Sequence, residues 1–199
     1  MGPASRINMS TNRRLNPAIA FVIKFIALFI LFYGFYLFFL SLTSPGGKLY
    51  SAFFDQYFDF IAGLRYVLIE SSSGILKLFG YQTKTNEYYM LVVGHNTIHV
   101  GYDCLGFGVM SFFTAFVIAY PGVLKSKLYF YFVGLICIQA LNLLRFILLA
   151  LYWKHTTVYI SDHHTIYNLI TYLLIAISIY FYTQYQAKST HATNQPGII

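Results

Sequence analysis

Residues 17–42, "PAIAFVIKFIALFILFYGFYLFFLSL", hold a single charged side chain, Lys24. A helix this apolar on every face has no side to offer water. About 20 such residues cross the hydrocarbon of a bilayer, so the run spans a membrane. Only 10% of the chain is charged, against about a quarter in soluble domains. Lys24, near the start of the run, is expected to snorkel back toward the basic side. Arg6, Arg13 and Arg14 stand before the run and place the N-terminus inside by the positive-inside rule. The run is too long for a cleavable signal, and no small-residue cleavage site follows it; a permanent anchor is expected.

Three more apolar runs follow: from Leu105 to about Tyr120, 128–153 and 165–186. Lys125 and Lys127, between the second and third spans, mark an inside loop, and four crossings with both termini inside agree with the cations. The excess of 13 Lys+Arg over 6 Asp+Glu is thus read as topology. No nucleic-acid motif or phosphate loop accompanies it. Residues 52–80 carry Asp55, Asp59, Arg65, Glu70 and Lys77, too many charges for a simple span. Interfacial helices are expected there, as a hairpin broken at "SSSG"; the alternative is a chain of five to six spans in which 52–80 crosses the membrane. "YYMLVVGHNTIHVGY", 88–102, alternates around a "GHN" turn and predicts a small β-hairpin outside the membrane.

The fold class expected is an all-α polytopic membrane protein with about four transmembrane helices, interfacial helices and a small extracytoplasmic β-hairpin. The organisation expected is one membrane domain over 1–199, with a first transmembrane helix at 17–43. An extracytoplasmic and interfacial region at 44–103 and a catalytic core at 104–187 complete it.

This topology brings three chemically useful residues to one depth. Cys104 opens the second span at its outer end. Arg145 lies 17 residues beyond Leu128, roughly 25 Å up a helix that rises 1.5 Å per residue. His163 and His164 open the last span, again at its outer end, with Asp162 before them as an N-cap. A thiolate attacks carbonyl carbon, a cation stabilises the thiolate and the oxyanion, and a histidine moves the proton. Arginine suits this better than lysine in a membrane because it keeps its charge. Asn142, three residues before Arg145, shares its helical face. Cys137, mid-membrane in "LICIQA", is expected to be inert packing. A carboxylate beside a cysteine works against the thiolate, so Asp103 is expected to face the hairpin or a substrate.

"CLG" at 104–106, "NLLR" at 142–145 and "DHHTIYN" at 162–168 together resemble the exosortase/archaeosortase family over roughly residues 90–180. The resemblance implies a polytopic membrane cysteine protease/transpeptidase (a thiol hydrolase) of the cytoplasmic membrane, with its site on the extracytoplasmic side. It would act on secreted proteins ending in a sorting motif, a transmembrane helix and a basic tail, and transfer them to a surface acceptor. Membrane lipids are the other expected partner, with no nucleic acid and no cofactor. Cys104 would be the nucleophile, Arg145 its thiolate or oxyanion partner, and a histidine the general acid/base. Aligning on Ile166 and Tyr167 selects His164; aligning on Asp162 selects His163; His164 is favoured. Asn142, Tyr167 and Asn168 are the candidate substrate contacts, Asn168 standing where many members have glycine.

A second class is a metal-binding membrane transport protein, using His95, His99, Asp103, Asp162, His163 and His164. No His-Glu-x-x-His motif is present. A third is a structural membrane subunit in which Arg145 pairs across an interface.

Overall fold

The computed structural model describes residues 16–47, 49–152 and 163–193, with side chains of the last segment described over 169–186. Helix α1 spans Pro17–Thr43. It starts where Asn16 accepts the Ala18 N–H through its side chain at 3.1 Å, with Pro17 supplying the fixed φ of a first helical residue. It ends before Pro45, with Thr43 Oγ1 donating back to the Phe39 carbonyl. Ile19, Val22, Ile23, Ile26 and Ile30 are exposed along it, which only lipid tolerates at this density.

Among the described residues three helical stretches are long and apolar enough to cross a membrane: Pro17–Thr43, Tyr102–Ala119 and Leu124–Tyr152. Tyr102–Ala119 is a 3-10 turn, Tyr102–Leu105, running through Gly106 into α4, Phe107–Ala119. The chain is therefore a multi-pass membrane protein. α5, Leu124–Tyr152, starts four residues before the expected 128, so Lys125 and Lys127 belong to its first turn rather than to a loop. Pro121 and Gly122 already make the turn, and lysine is a good helix former. Lys24 Nζ and Lys127 Nζ both lie 3.4 Å from the Ile118 carbonyl at the end of α4. Two ammonium groups there satisfy an orphan carbonyl and oppose the negative end of the helix dipole. The last helix, α6, is His163–Thr193 and contains the fourth expected span.

Residues 52–78 form α2, Ala52–Phe58, and α3, Phe60–Leu78. Asp59 ends the first and caps the second, its Oδ1 accepting the Ala62 N–H at 2.8 Å. The expected break at "SSSG" is absent: α3 is continuous through it. Ser72 donates back to the Leu68 carbonyl at 2.8 Å, and the Ser73 hydroxyl meets Thr83 Oγ1 at 2.7 Å, so both serines bury without leaving the helix. The break falls instead at Gly80, whose φ of +87° suits glycine.

The expected hairpin is present as β2, Tyr89–Val92, and β3, Thr97–His99, and β1, Thr83–Thr85, adds a third strand. The sheet is antiparallel in the order β1-β2-β3, with Thr85 opposite Met90 and Met90 opposite Ile98. Met90, Val92, Ile98 and Val100 point inward, and Cys104, Leu105, Leu68, Leu76 and Phe146 join them in one core. The turn at Gly94–Asn96 closes the end of α5. The Asn96 N–H donates to the Ala150 carbonyl at 3.2 Å, and His95 Nδ1 lies 3.2 Å from the Leu151 carbonyl. The sheet thus satisfies carbonyls that a helix end leaves orphaned.

A second core lies farther along the helices, where Phe113 of α4 packs with Phe130 and Ile138 of α5 and Ile175 and Tyr182 of α6. Here Gly134 lets α5 approach Phe113 so closely that any β-carbon would overlap the ring. Phe113 is fully buried, so its ring must shift before α5 could carry a side chain here. Gly134→Leu should therefore cost about 1–3 kcal/mol by overpacking, seen as a lowered thermal midpoint of the detergent-solubilised protein. An unchanged midpoint would mean that the two helices separate freely here.

Candidate active site

Cys104 owes its position to a local sequence of glycines. The 3-10 turn begins after Gly101, whose carbonyl accepts the Cys104 N–H at 3.0 Å. Gly106 follows at φ +76°, a conformation that glycine alone adopts readily, and redirects the chain into α4. A β-carbon on Gly106 would also lie 2.6 Å from Asn142 Nδ2, so shape and backbone both demand glycine. Tyr36 of α1 steadies the turn, stacking on Phe107 with ring centres 4.6 Å apart and reaching the Tyr102 carbonyl at 3.5 Å. The positive end of the α4 dipole begins within a turn of the thiol.

α5 presents the facing groups. Arg145 is three residues beyond Asn142, so both project from one face, and each is only 3% exposed. Arg145 Nη2 donates to Cys104 Sγ at 3.8 Å. Asn142 Nδ2 lies 3.3 Å from the Leu105 carbonyl and 3.1 Å from Gln139 Oε1. Asn142 therefore grips the backbone immediately after the cysteine, while Arg145 engages the sulfur itself. Cys104 is 4% exposed. From Leu124, Arg145 stands roughly 31 Å along the helix at 1.5 Å per residue, at the end that carries the sheet.

The other expected residues fall as follows. His163 and His164 are the first residues of α6, but their side chains, like those of Tyr167 and Asn168, lie outside the described residues, and Asp162 lies wholly outside them. Asp103 is exposed, next to the buried cysteine. Cys137, expected as packing, is instead exposed on α5, beside an apolar groove between α4, α5 and α6. His99 packs against the Tyr89 ring at 4.9 Å, and His95 is engaged at the end of α5. Among the described residues no three His, Cys, Asp or Glu side chains gather as a metal would require, so the described part of the expected metal cluster does not assemble.

Two features at this end were not expected from the sequence: the grip of Asn142 on the Leu105 carbonyl, and Arg65. Arg65 is 4% exposed and lies against the rings of Tyr88 and Tyr102. Its signal was present in the spacing Ile61, Arg65, Leu68, Ser72, which puts it on the inner face of α3.

A transmembrane exosortase family model matches residues 10–181. No curated protein and no solved structure shows a significant match. The match extends well before residue 90, where the motif resemblance began, and takes in α1, α2, α3 and the sheet. It covers most of the chain, and the chain belongs to the transmembrane exosortase family.

Proposed function

We propose that this exosortase is a cysteine transpeptidase that removes C-terminal sorting signals from secreted proteins at the outer face of the cytoplasmic membrane. The family carries a membrane transpeptidase and sorting role in general terms; the residue roles and substrate are our reading. The observation that carries it is the buried contact of Arg145 Nη2 with Cys104 Sγ. A guanidinium against sulfur favours the thiolate, the nucleophilic form. Arg6, Arg13, Arg14 and the lysine-bearing turn at 125–127 belong inside by the positive-inside rule, which puts the opposite, sheet-bearing end outside.

In this reading the substrate helix lies beside the spans and presents its scissile peptide above them. The Cys104 thiolate attacks the carbonyl carbon, and Arg145 stabilises the oxyanion. The C–N bond breaks as His164, with His163 its alternative, gives a proton to the leaving amine, which departs with the helix and basic tail. The thioester left on Cys104 is attacked by an acceptor amine or by water, the same imidazole taking the proton. Asn142 holds the turn that carries the nucleophile, while Tyr167 and Asn168 contact the substrate.

The test is to trap that thioester. Secreted proteins of the host carrying a C-terminal apolar helix and basic tail are tagged upstream of the helix and co-expressed with the enzyme. A covalent enzyme–substrate species released by neutral hydroxylamine is expected with the wild type and absent with Cys104→Ala. Efficient processing with no such species on rapid acid quench would overturn the covalent mechanism.

A further inference from the structure

Among the described residues, the end of the molecule where α1 begins, α4 stops and α5 starts carries cations and no carboxylate. Asp55, Asp59, Glu70, Glu87 and Asp103 all lie between α2 and the 3-10 turn, and Asp162 directly precedes α6. Gln186, late in α6, donates to Ser126 Oγ at 2.8 Å, so the start of α6 lies at the far end from α5's first turn. Lys24, Lys125 and Lys127 thus share this end with no acidic side chain.

Two of these lysines converge on one atom. Lys24 comes from α1 and Lys127 from α5, and each Nζ donates to the Ile118 carbonyl at 3.4 Å. The C-terminal end of a helix is worth about half a negative charge, too little to balance two ammonium groups. Each ammonium has three N–H donors and spends one on Ile118, leaving two on each lysine for a further acceptor. Like charges brought to one point repel, and an anion between them removes the repulsion.

That anion has to act at the level of the lipid headgroups. Lys24 lies seven residues beyond Pro17, roughly 10 Å along α1 at 1.5 Å per residue. Val22 and Ile23 beside it are exposed, as are Val123, Leu124 and Leu128 around Lys127. A free phosphate ion or a soluble acidic protein at this depth would shed its water, at high cost. A phospholipid already holds its phosphate there and covers the apolar side chains with its tails. A zwitterionic headgroup brings an amine of its own and leaves the positive excess standing, whereas a net-negative headgroup cancels it.

We propose that Lys24 and Lys127 form a binding site for the phosphate of an anionic phospholipid in the leaflet at this end, the inner one by the positive-inside rule. Bound there, the lipid bridges α1 and α5 across the end of α4. The site does not depend on the transpeptidase reading, because it lies at the opposite end of the spans from Cys104.

The test uses the full chain, freed of lipid in detergent and titrated with phosphatidylglycerol or phosphatidylcholine while native mass spectrometry counts the bound lipids. The first phosphatidylglycerol should bind at least about tenfold tighter than the first phosphatidylcholine, each lysine near the headgroup contributing about fivefold. Lys24→Gln and Lys127→Gln should each lose about fivefold, and the double variant should bind the two lipids alike. Lys24→Arg, which keeps the charge, should keep the preference. Lys77→Gln and Lys84→Gln, exposed positions on α3 and β1, should leave it unchanged. Saturating phosphatidylglycerol should raise the thermal midpoint of the parent, as any ligand of the folded state does, and not that of the double variant. Lys24 is exposed, so Lys24→Gln decides the matter even where Lys127→Gln fails to fold. Equal binding of both lipids to the parent, a preference that survives Lys24→Gln undiminished, or an equal loss in Lys77→Gln and Lys84→Gln would each overturn the proposal. Displacement of the lipid by excess glycerol phosphate would overturn it in favour of a soluble anion.

Discussion

Cys104→Ala will leave substrate full-length and membrane-held, with processing reduced by at least about 10³-fold, as losses of a nucleophile generally are. Cys137→Ala will process at the wild-type rate. The two cysteines make an internal control because their settings differ. Cys104 is buried in a 3-10 turn against Arg145, whereas Cys137 is exposed on the apolar face of α5. A thiol becomes a nucleophile through a neighbouring cation and a proton acceptor. Among the described residues only Cys104 has an arginine in contact. The measurement is the size and surface attachment of tagged secreted proteins with a C-terminal helix and basic tail, with enzyme abundance matched by immunoblot. Normal processing by Cys104→Ala at normal abundance would end the cysteine mechanism.

Much of the fold is written in local pattern, and the departures are places where a tertiary contact decides. α1 follows from its apolar run, and the helix spans Pro17–Thr43. Met90, Val92 and Ile98 are buried and alternate with less buried neighbours, a pattern that reads as strands. β1 does not, because Thr83, Lys84 and Thr85 offer no apolar alternation; pairing with Met90–Val92 and the Ser73–Thr83 contact orders them. "SSSG" reads as a break because serine competes for backbone bonds, but the Leu68 carbonyl and Thr83 take up those hydroxyls within the fold.

At the candidate site, counting residues along helices brings Cys104 and Arg145 to a common depth and no further. Their contact also requires the direction of α5 against the turn, which is set by Gly106 and Asn142. Arg65 escaped for a related reason. In a stretch dense with charges a basic residue reads as interfacial, and only the inner face of α3, packed under the sheet, reveals that it is buried.

Arg145→Gln will reduce processing by about 10²–10³-fold, the usual loss when one preorganised oxyanion donor is removed. Arg145→Lys will recover part of it, since an ammonium keeps the charge but lacks the planar donor fork that reaches Sγ at 3.8 Å. Arg145 is buried, so a structural role must be separated from an electrostatic one. The separating readout is the alkylation rate of Cys104 by a small neutral reagent at pH 7, measured on folded protein with Cys137 replaced by alanine. If the guanidinium holds the sulfur as thiolate, alkylation will slow in Arg145→Gln and recover partly in Arg145→Lys, in step with processing. If Arg145 only braces the helices, thermal stability and processing will fall together while the folded fraction alkylates at the wild-type rate. That second pattern would assign thiolate activation to another group, with the histidines at the start of α6 next in line.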